Sequence, residues 1–221
     1  MERVELLDHL ARHVLETQHP HPLRVGIDGV DCSGKTHFAD ELGRAIGRLG
    51  RPVLRASTDG FHNPRAVRYR KGPDSPEGYY YDSFNYALMR RMLLDPLGPG
   101  GDRHCRLAAF DVRVDSPVQV AEILAAPDAA LLFDGIFLAR PELEGCFDLR
   151  IFLVVSFDTV LERASQRDLN LFQNVEAVRS QYRQRYIPGQ QLYFAACRPQ
   201  ETADIVIDHN DFLNPLILQS N

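Results

Sequence analysis

Residues 29 to 36 read Gly29-Val30-Asp31-Cys32-Ser33-Gly34-Lys35-Thr36, with the apolar run Leu23-Arg24-Val25-Gly26-Ile27 before them and a helix-like stretch after. Two glycines at this spacing let the backbone curl until successive N–H groups face one anion. Lys35 adds a point charge near outer phosphates, and the Thr36 hydroxyl can ligate Mg²⁺. A strand before and a helix after are the context such a loop requires, and a chance glycine-rich turn would lack it. The eight residues are therefore candidate contacts for a nucleoside triphosphate, taken to be ATP with Mg²⁺. What remains to be read is the phosphoryl acceptor.

At 221 residues, 44% of them hydrophobic, the chain can bury a substantial core, and its length suits one α/β unit with a lid. The whole of 1–221 is read as a single domain. The formal net charge of −5 argues against a nonspecific nucleic-acid binder and leaves any positive field local. Cys32, Cys105, Cys146 and Cys197 show neither a CxxC pair nor zinc-type spacing, which points to reduced thiols in a cytoplasmic protein. Cys32 is expected to serve the loop through its backbone amide rather than its thiol. There is no export-type apolar segment, and nowhere do about eighteen apolar residues run together, so no membrane partner is expected. Self-association is left open.

Leu6, Leu7, Leu10, Val14 and Leu15 recur at helical spacing, predicting an amphipathic helix over 3–17 that ends before His19-Pro20-His21-Pro22. Residues 1–20 thus form an N-terminal helix and linker, with the histidines read as linker rather than metal ligands. Strand-like runs at 23–28, 52–57, 129–133, 149–155 and 204–207 alternate with helix-like stretches, the pattern of a parallel α/β sheet. The segments from Gly60 to Tyr81 and from Gly98 to Asp115 read as long irregular binding loops.

Ligands of such sheets bind beyond the carboxyl ends of the strands, so residues just after each strand are chemical candidates. Asp59, in Thr58-Asp59-Gly60-Phe61, is either a catalytic base for an acceptor hydroxyl or a cap within an Asp-Gly turn. Asp134, ending Ala130-Leu131-Leu132-Phe133, stands where an acid would hold Mg²⁺, with Gly135 allowing close approach of the backbone. Arg163 and Arg167 share a helical face that suits transferring phosphates, or simply a solvated surface. Tyr79 in Tyr79-Tyr80-Tyr81 could stack on an acceptor ring or pack its own loop down. Arg65, Arg68, Arg70 and Lys71 could bind an anionic acceptor or form an ordinary solvated loop.

The order of phosphate loop, strand-terminal Asp59, Asp134-Gly135-Ile136, arginine-bearing helix, SQYRQRYIPGQQLYF and Ala203-Asp204-Ile205-Val206-Ile207 resembles the uridine kinase family over roughly residues 23–208. The resemblance implies a nucleoside monophosphate kinase-like P-loop NTPase fold, a parallel sheet flanked by helices, with a helical lid and following helix at about 157–187. It further implies Asp59 as base, Asp134 in place of a magnesium-holding glutamate, Arg163 and Arg167 as lid arginines, and Gln181 on the substrate side. The acceptor is then a small-molecule alcohol, with uridine or cytidine the first to consider. Phe61, Tyr79 and Phe110 join Asp59 and Gln181 as substrate-side candidates.

Several acceptor-side positions depart from the family. Phe110 stands where a tyrosine is expected, no histidine follows Asp111, and Phe172 and Asn174 replace two further arginines. Ser57-Thr58-Asp59-Gly60-Phe61 is also similar to the corresponding segment of bacterial pantothenate kinases. Another acceptor, such as pantothenate or a sugar phosphate, and a non-catalytic nucleotide-binding regulatory module are the alternatives.

Overall fold

The computed structural model describes residues 2–172 and 174–220. Its centre is a six-stranded sheet of β1 (Leu23–Gly29), β2 (Val53–Ser57), β3 (Ala130–Asp134), β4 (Leu149–Val154), β5 (Ile205–Asp208) and β6 (Leu216–Ser220), in the spatial order β6-β5-β4-β1-β3-β2. The first five strands run parallel, and β6 pairs antiparallel with β5. Every residue of β1 and β3 is buried. That is why these strands read as near-continuous apolar runs rather than as alternation: a parallel sheet is covered on both faces.

One face is covered by α1 (Arg3–Glu16) and α2 (Lys35–Arg48), whose Leu6, Leu10, Val14, Phe38, Leu42 and Ile46 pack on Val25, Ile27 and Ile151. Glu2 and Glu5 form a capping box that starts α1. Leu15, expected on the buried face, is 40% exposed. The other face carries an aromatic core that includes Phe61, Tyr80, Phe84, Phe133 and Phe137. Full burial of each such side chain contributes roughly 1.5–3 kcal/mol.

The segments expected to be irregular carry more order than their composition suggests. Within 60–81, Ser75 Oγ accepts from Gly78 N at 3.0 Å and Pro76 occupies the first turn, starting α3 (Pro76–Asp82). In and beyond 98–115, His104–Cys105 pairs with Ile123–Leu124 and Phe110–Asp111 with Ser116–Pro117. Among the helices that follow are α4 (Phe157–Arg167), α5 (Val175–Gln181) and α6 (Ile187–Cys197). Asn174, which stands where an arginine was expected, caps α5 by accepting from Ala177 N at 2.9 Å. Among the described residues no helix is long and apolar enough to cross a membrane.

Candidate active site

The loop between β1 and α2 takes the shape that its glycines permit. Gly34 adopts φ 86°, and a Cβ there would sit 3.1 Å from His209 Cε1; a Cβ on Gly29 would sit 2.7 Å from the Leu153 carbonyl oxygen. Cys32 adopts φ 54° without being glycine. Lys35 Nζ donates to Val30 O at 2.7 Å and to Ser33 Oγ at 3.3 Å, closing the loop on itself. Burial lowers the Lys35 pKa, opposed by the charges of Asp31, Asp28, Asp134 and Asp59. Burial raises that of the Cys32 thiol, in keeping with a backbone role for Cys32.

The two residues expected to hold Mg²⁺ meet: Thr36 Oγ1 donates to Asp134 Oδ2 at 2.7 Å. Arg55, which the sequence reading did not single out, donates from Nη2 to Asp134 Oδ1 at 2.8 Å and from Nε to Asp40 Oδ1 at 3.0 Å. A hydroxyl and a carboxylate side by side at the foot of a phosphate loop are the hard oxygen donors that suit Mg²⁺. Gly135 is required by side-chain rather than backbone approach, since a Cβ there would fall 2.3 Å from Thr58 Cγ2.

Asp59 lies in the single 3₁₀ turn Thr58–Phe61 that follows β2. Ser57 Oγ, not Asp59, caps this turn, accepting from Asp59 N at 3.3 Å. Among the described residues no donor reaches the Asp59 carboxylate, which opens onto a cleft of about 220 Å³ also lined by Asp31, Tyr79, Arg167, Asp168 and Tyr186. Loss of hydration in the cleft and the nearby Asp134 charge raise the Asp59 pKa, with Lys35 opposing.

Arg163 and Arg167 share a face of α4 but serve different neighbours. Arg163 bridges the loop and the end of β5, donating to Cys32 O at 3.2 Å, His209 O at 2.9 Å and Asn210 O at 2.7 Å. It lines a second cavity of about 400 Å³ with Arg3, Gly34, His37, His209 and Phe212. Arg167 lines the Asp59 cleft and pairs with Asp168 at 2.6 Å. Both guanidiniums thus flank the loop, Arg163 held by main-chain carbonyls and Arg167, with its side chain 59% exposed, held by Asp168.

The SQYRQRYIPGQQLYF stretch forms a continuous helical run through α5 and α6, with one π-type turn at Tyr182–Tyr186. Tyr182 OH donates to Asp168 Oδ2 at 2.7 Å, and Gln190 Nε2 to Asp31 Oδ2 at 2.9 Å. Tyr79 OH donates to Asp31 at 2.5 Å, and Tyr193 OH to the buried Asp28, whose carboxyl burial pushes up to about 6. Tyr79 of α3 and Gln190 and Tyr193 of the long helix thus hold Asp31 of the loop and Asp28 near the end of β1, and none of these pairings was anticipated.

Of the substrate-side candidates, Tyr79 lines the cleft. Phe61, Phe110 and Gln181 do not. Phe61 is fully buried against Phe133, Phe110 is buried in its short ladder with Pro117, and Gln181 precedes by one residue the helix face that carries Tyr182. His21, read as linker, is buried beside Asp148, and potential ligand atoms of His19, His21 and Asp148 lie within 4.8 Å of one another. Both Asp148 oxygens are held by Arg24, at 2.8 Å and 3.1 Å, so the cation at that point is already a guanidinium.

No protein-family model matches the chain. A curated relative, uridine-cytidine kinase B of Dictyostelium discoideum, is 26% identical over 190 residues, which cover 85% of this chain and 74% of the relative. The structure of a possible uridine kinase from Bacillus stearothermophilus superposes with a TM-score of 0.72 at 22% identity, covering 91% of this chain and 97% of that one. D-glycerate 3-kinase from Cryptococcus neoformans var. grubii superposes with a TM-score of 0.67 at 14% identity, covering 97% and 99%. The resemblance read from the sequence and the P-loop kinase fold are therefore borne out. They indicate a uridine kinase-like or related P-loop kinase, on a fold shared by proteins named for different acceptors.

Proposed function

We propose that the chain is an ATP-dependent kinase that transfers the γ-phosphoryl group to the hydroxyl of a small acceptor held in the Asp59 cleft. One observation carries the reading: the free Asp59 carboxylate shares its cleft with Asp31 of the phosphate loop and with Arg167. Bound Mg-ATP supplies the electrophilic phosphorus and neutralises charge on the transferring group. Thr36 and Asp134 offer the oxygens for the metal, while Lys35 and the loop amides hold the phosphates. Asp59 orients the acceptor O–H and takes its proton as oxygen bonds to phosphorus and the β–γ bridging bond breaks towards ADP. The stretch of about 157–187 serves as the lid and the helix that follows it, Arg167 adding positive charge as water is excluded. The cavity beside Arg163 and His209 takes the nucleobase.

Uridine and cytidine are the acceptors that the curated relative brings forward. An ADP-release assay with Mg-ATP against uridine, cytidine, pantothenate and ribulose 5-phosphate tests the reading. Turnover that depends on one of these alcohols supports it, and ATP hydrolysis indifferent to all of them counts against it.

On the donor side, Arg3 Nη1 meets His209 Nε2 at 2.8 Å, and His209 Nδ1 meets Ser33 O at 2.6 Å. Arginine only donates, so Nε2 accepts and Nδ1–H donates to the loop carbonyl. Burial lowers the His209 pKa to about 4, which keeps the ring neutral. Arg3→Ala is expected to weaken ATP binding roughly 3- to 10-fold, the effect of about one hydrogen bond, and to leave the acceptor KM unchanged. Nucleotide titration of the variant checks this.

A further inference from the structure

One wall of the cleft gathers guanidiniums around Tyr69 in a way that a neutral nucleoside does not require. Arg185 is 3% exposed and lines the cleft, yet no carboxylate lies within ion-pair distance of it among the described residues. Among the described residues its guanidinium donates only to main-chain carbonyls, to Gly72 O at 3.3 Å, Arg68 O at 3.4 Å and Pro73 O, and its Nε–H has no partner. A buried charge without a counter-ion is costly to the fold unless a ligand supplies one.

Two more arginines gather at the same point. The Tyr69 ring, also on the cleft wall, has guanidinium carbons of Arg185, Arg65 and Arg68 at 4.5, 5.4 and 5.5 Å from its centroid. The only side-chain carboxylate paired with these three, among the described residues, is the exposed Asp115, 3.0 Å from Arg68. Around Tyr69 three guanidiniums thus meet one paired carboxylate, in a cleft whose lining also holds Asp31, Asp59, Asp168 and Arg167. The Tyr69 faces are engaged by cations, and the cleft of about 220 Å³ falls below the roughly 300–1,000 Å³ usual for drug-sized ligands. His62, whose buried Nδ1 has no partner among the described residues, also lines the cleft.

Resting on the kinase reading above, we infer that the acceptor is a compact hydroxy compound bearing an oxyanion, a carboxylate or a phosphate, which docks on Arg185 and Arg68 beside Tyr69 and leaves its hydroxyl to Asp59. Guanidinium binds both oxyanions through paired N–H donors, so their chemistry at this point is shared.

The experiment compares matched pairs that differ in charge, D-glycerate with glycerol and ribulose 5-phosphate with ribulose, beside uridine and cytidine. It reads Mg-ATP turnover and, independently, binding of each compound by calorimetry. The anionic member of at least one pair is expected to exceed its neutral partner by roughly 10- to 100-fold in kcat/KM, the effect of charge-assisted hydrogen bonds. The pair that responds says whether the oxyanion is carboxylate or phosphate. Arg185→Gln is expected to remove that advantage and Arg185→Lys to keep part of it. Arg65→Gln, an exposed position that cannot unfold the site, is expected to lower it a few-fold. Turnover of uridine or cytidine with no preference within either pair overturns the oxyanion inference and leaves the kinase reading standing. If nothing is turned over, anion binding that Arg185→Gln abolishes supports the pocket while the kinase reading fails, and binding indifferent to Arg185 and Arg65 overturns the inference.

Discussion

Asp59→Asn is expected to lower kcat by roughly 10²- to 10⁴-fold, the usual contribution of a positioned general base, while changing ATP affinity by no more than a few-fold. Asparagine keeps the size of the side chain and its place in the Thr58–Phe61 turn, because that turn is capped by Ser57 and not by Asp59. What is lost is the proton acceptor. The pH profile provides a second reading of the same residue. Since the cleft and Asp134 raise the Asp59 pKa, the acid limb of kcat/KM should lie above the ordinary carboxylate value of 3.8, with activity increasing as the group ionises. In the variant that limb should vanish. A variant that raises the acceptor KM and spares kcat would instead make Asp59 a binding residue.

The inner strands β1 and β3 were legible because they are covered on both faces, which writes each as an apolar run ended by a turn residue. Asp134 was legible for the same reason, and Asp59 because it follows closely on a strand-like run, both standing where a strand stops. Arg24 and Arg55 were not read, although a charged residue inside an apolar strand is itself a signal that a partner waits in the interior. Their partners, Asp148 and Asp134, are 124 and 79 residues away. Distance in the chain also hid the holders of Asp31 and Asp28, since Gln190 lies 159 residues from Asp31 and Tyr193 lies 165 from Asp28. On the long helix, Gln181 was named through the resemblance alone, and the residue that reaches the cleft is its neighbour Tyr182, at the start of the π-type turn Tyr182–Tyr186. β6 escaped notice as a short edge strand, its residues alternating between exposed and half-buried.

Arg24 lies on β1, the central strand that delivers the phosphate loop, and it is the residue whose loss should cost most stability. Its Nη2 meets Asp148 Oδ1 at 2.8 Å, and its Nε and backbone N–H both reach Asp148 Oδ2. The two side chains are 4% and 8% exposed. Arg24 also donates to Gly145 O at 3.1 Å, and a Cβ on Gly98 would lie 2.7 Å from its Nη1, so the turn at Gly98 leaves room for the guanidinium. Removing one partner strands the other as a buried charge, a loss of about 3–5 kcal/mol. Asp148→Ala is expected to fall in that range in a denaturant titration, and Arg24→Met with Asp148→Leu should cost clearly less than the sum of the single changes. It should not return fully to the parent value, because the Gly145 carbonyl and the Arg24 N–H stay without their partners. Burial raises the Asp148 pKa, but hydrogen bonds from Arg24 outweigh it and hold the group below 3.8. The folded value lying under the unfolded one, the stabilisation is complete above about pH 4 and is lost as the pH falls through the folded value. Asp148→Asn should therefore flatten the acid side of the stability curve. An unchanged acid midpoint in that variant would move the acid sensitivity of the fold to another carboxylate.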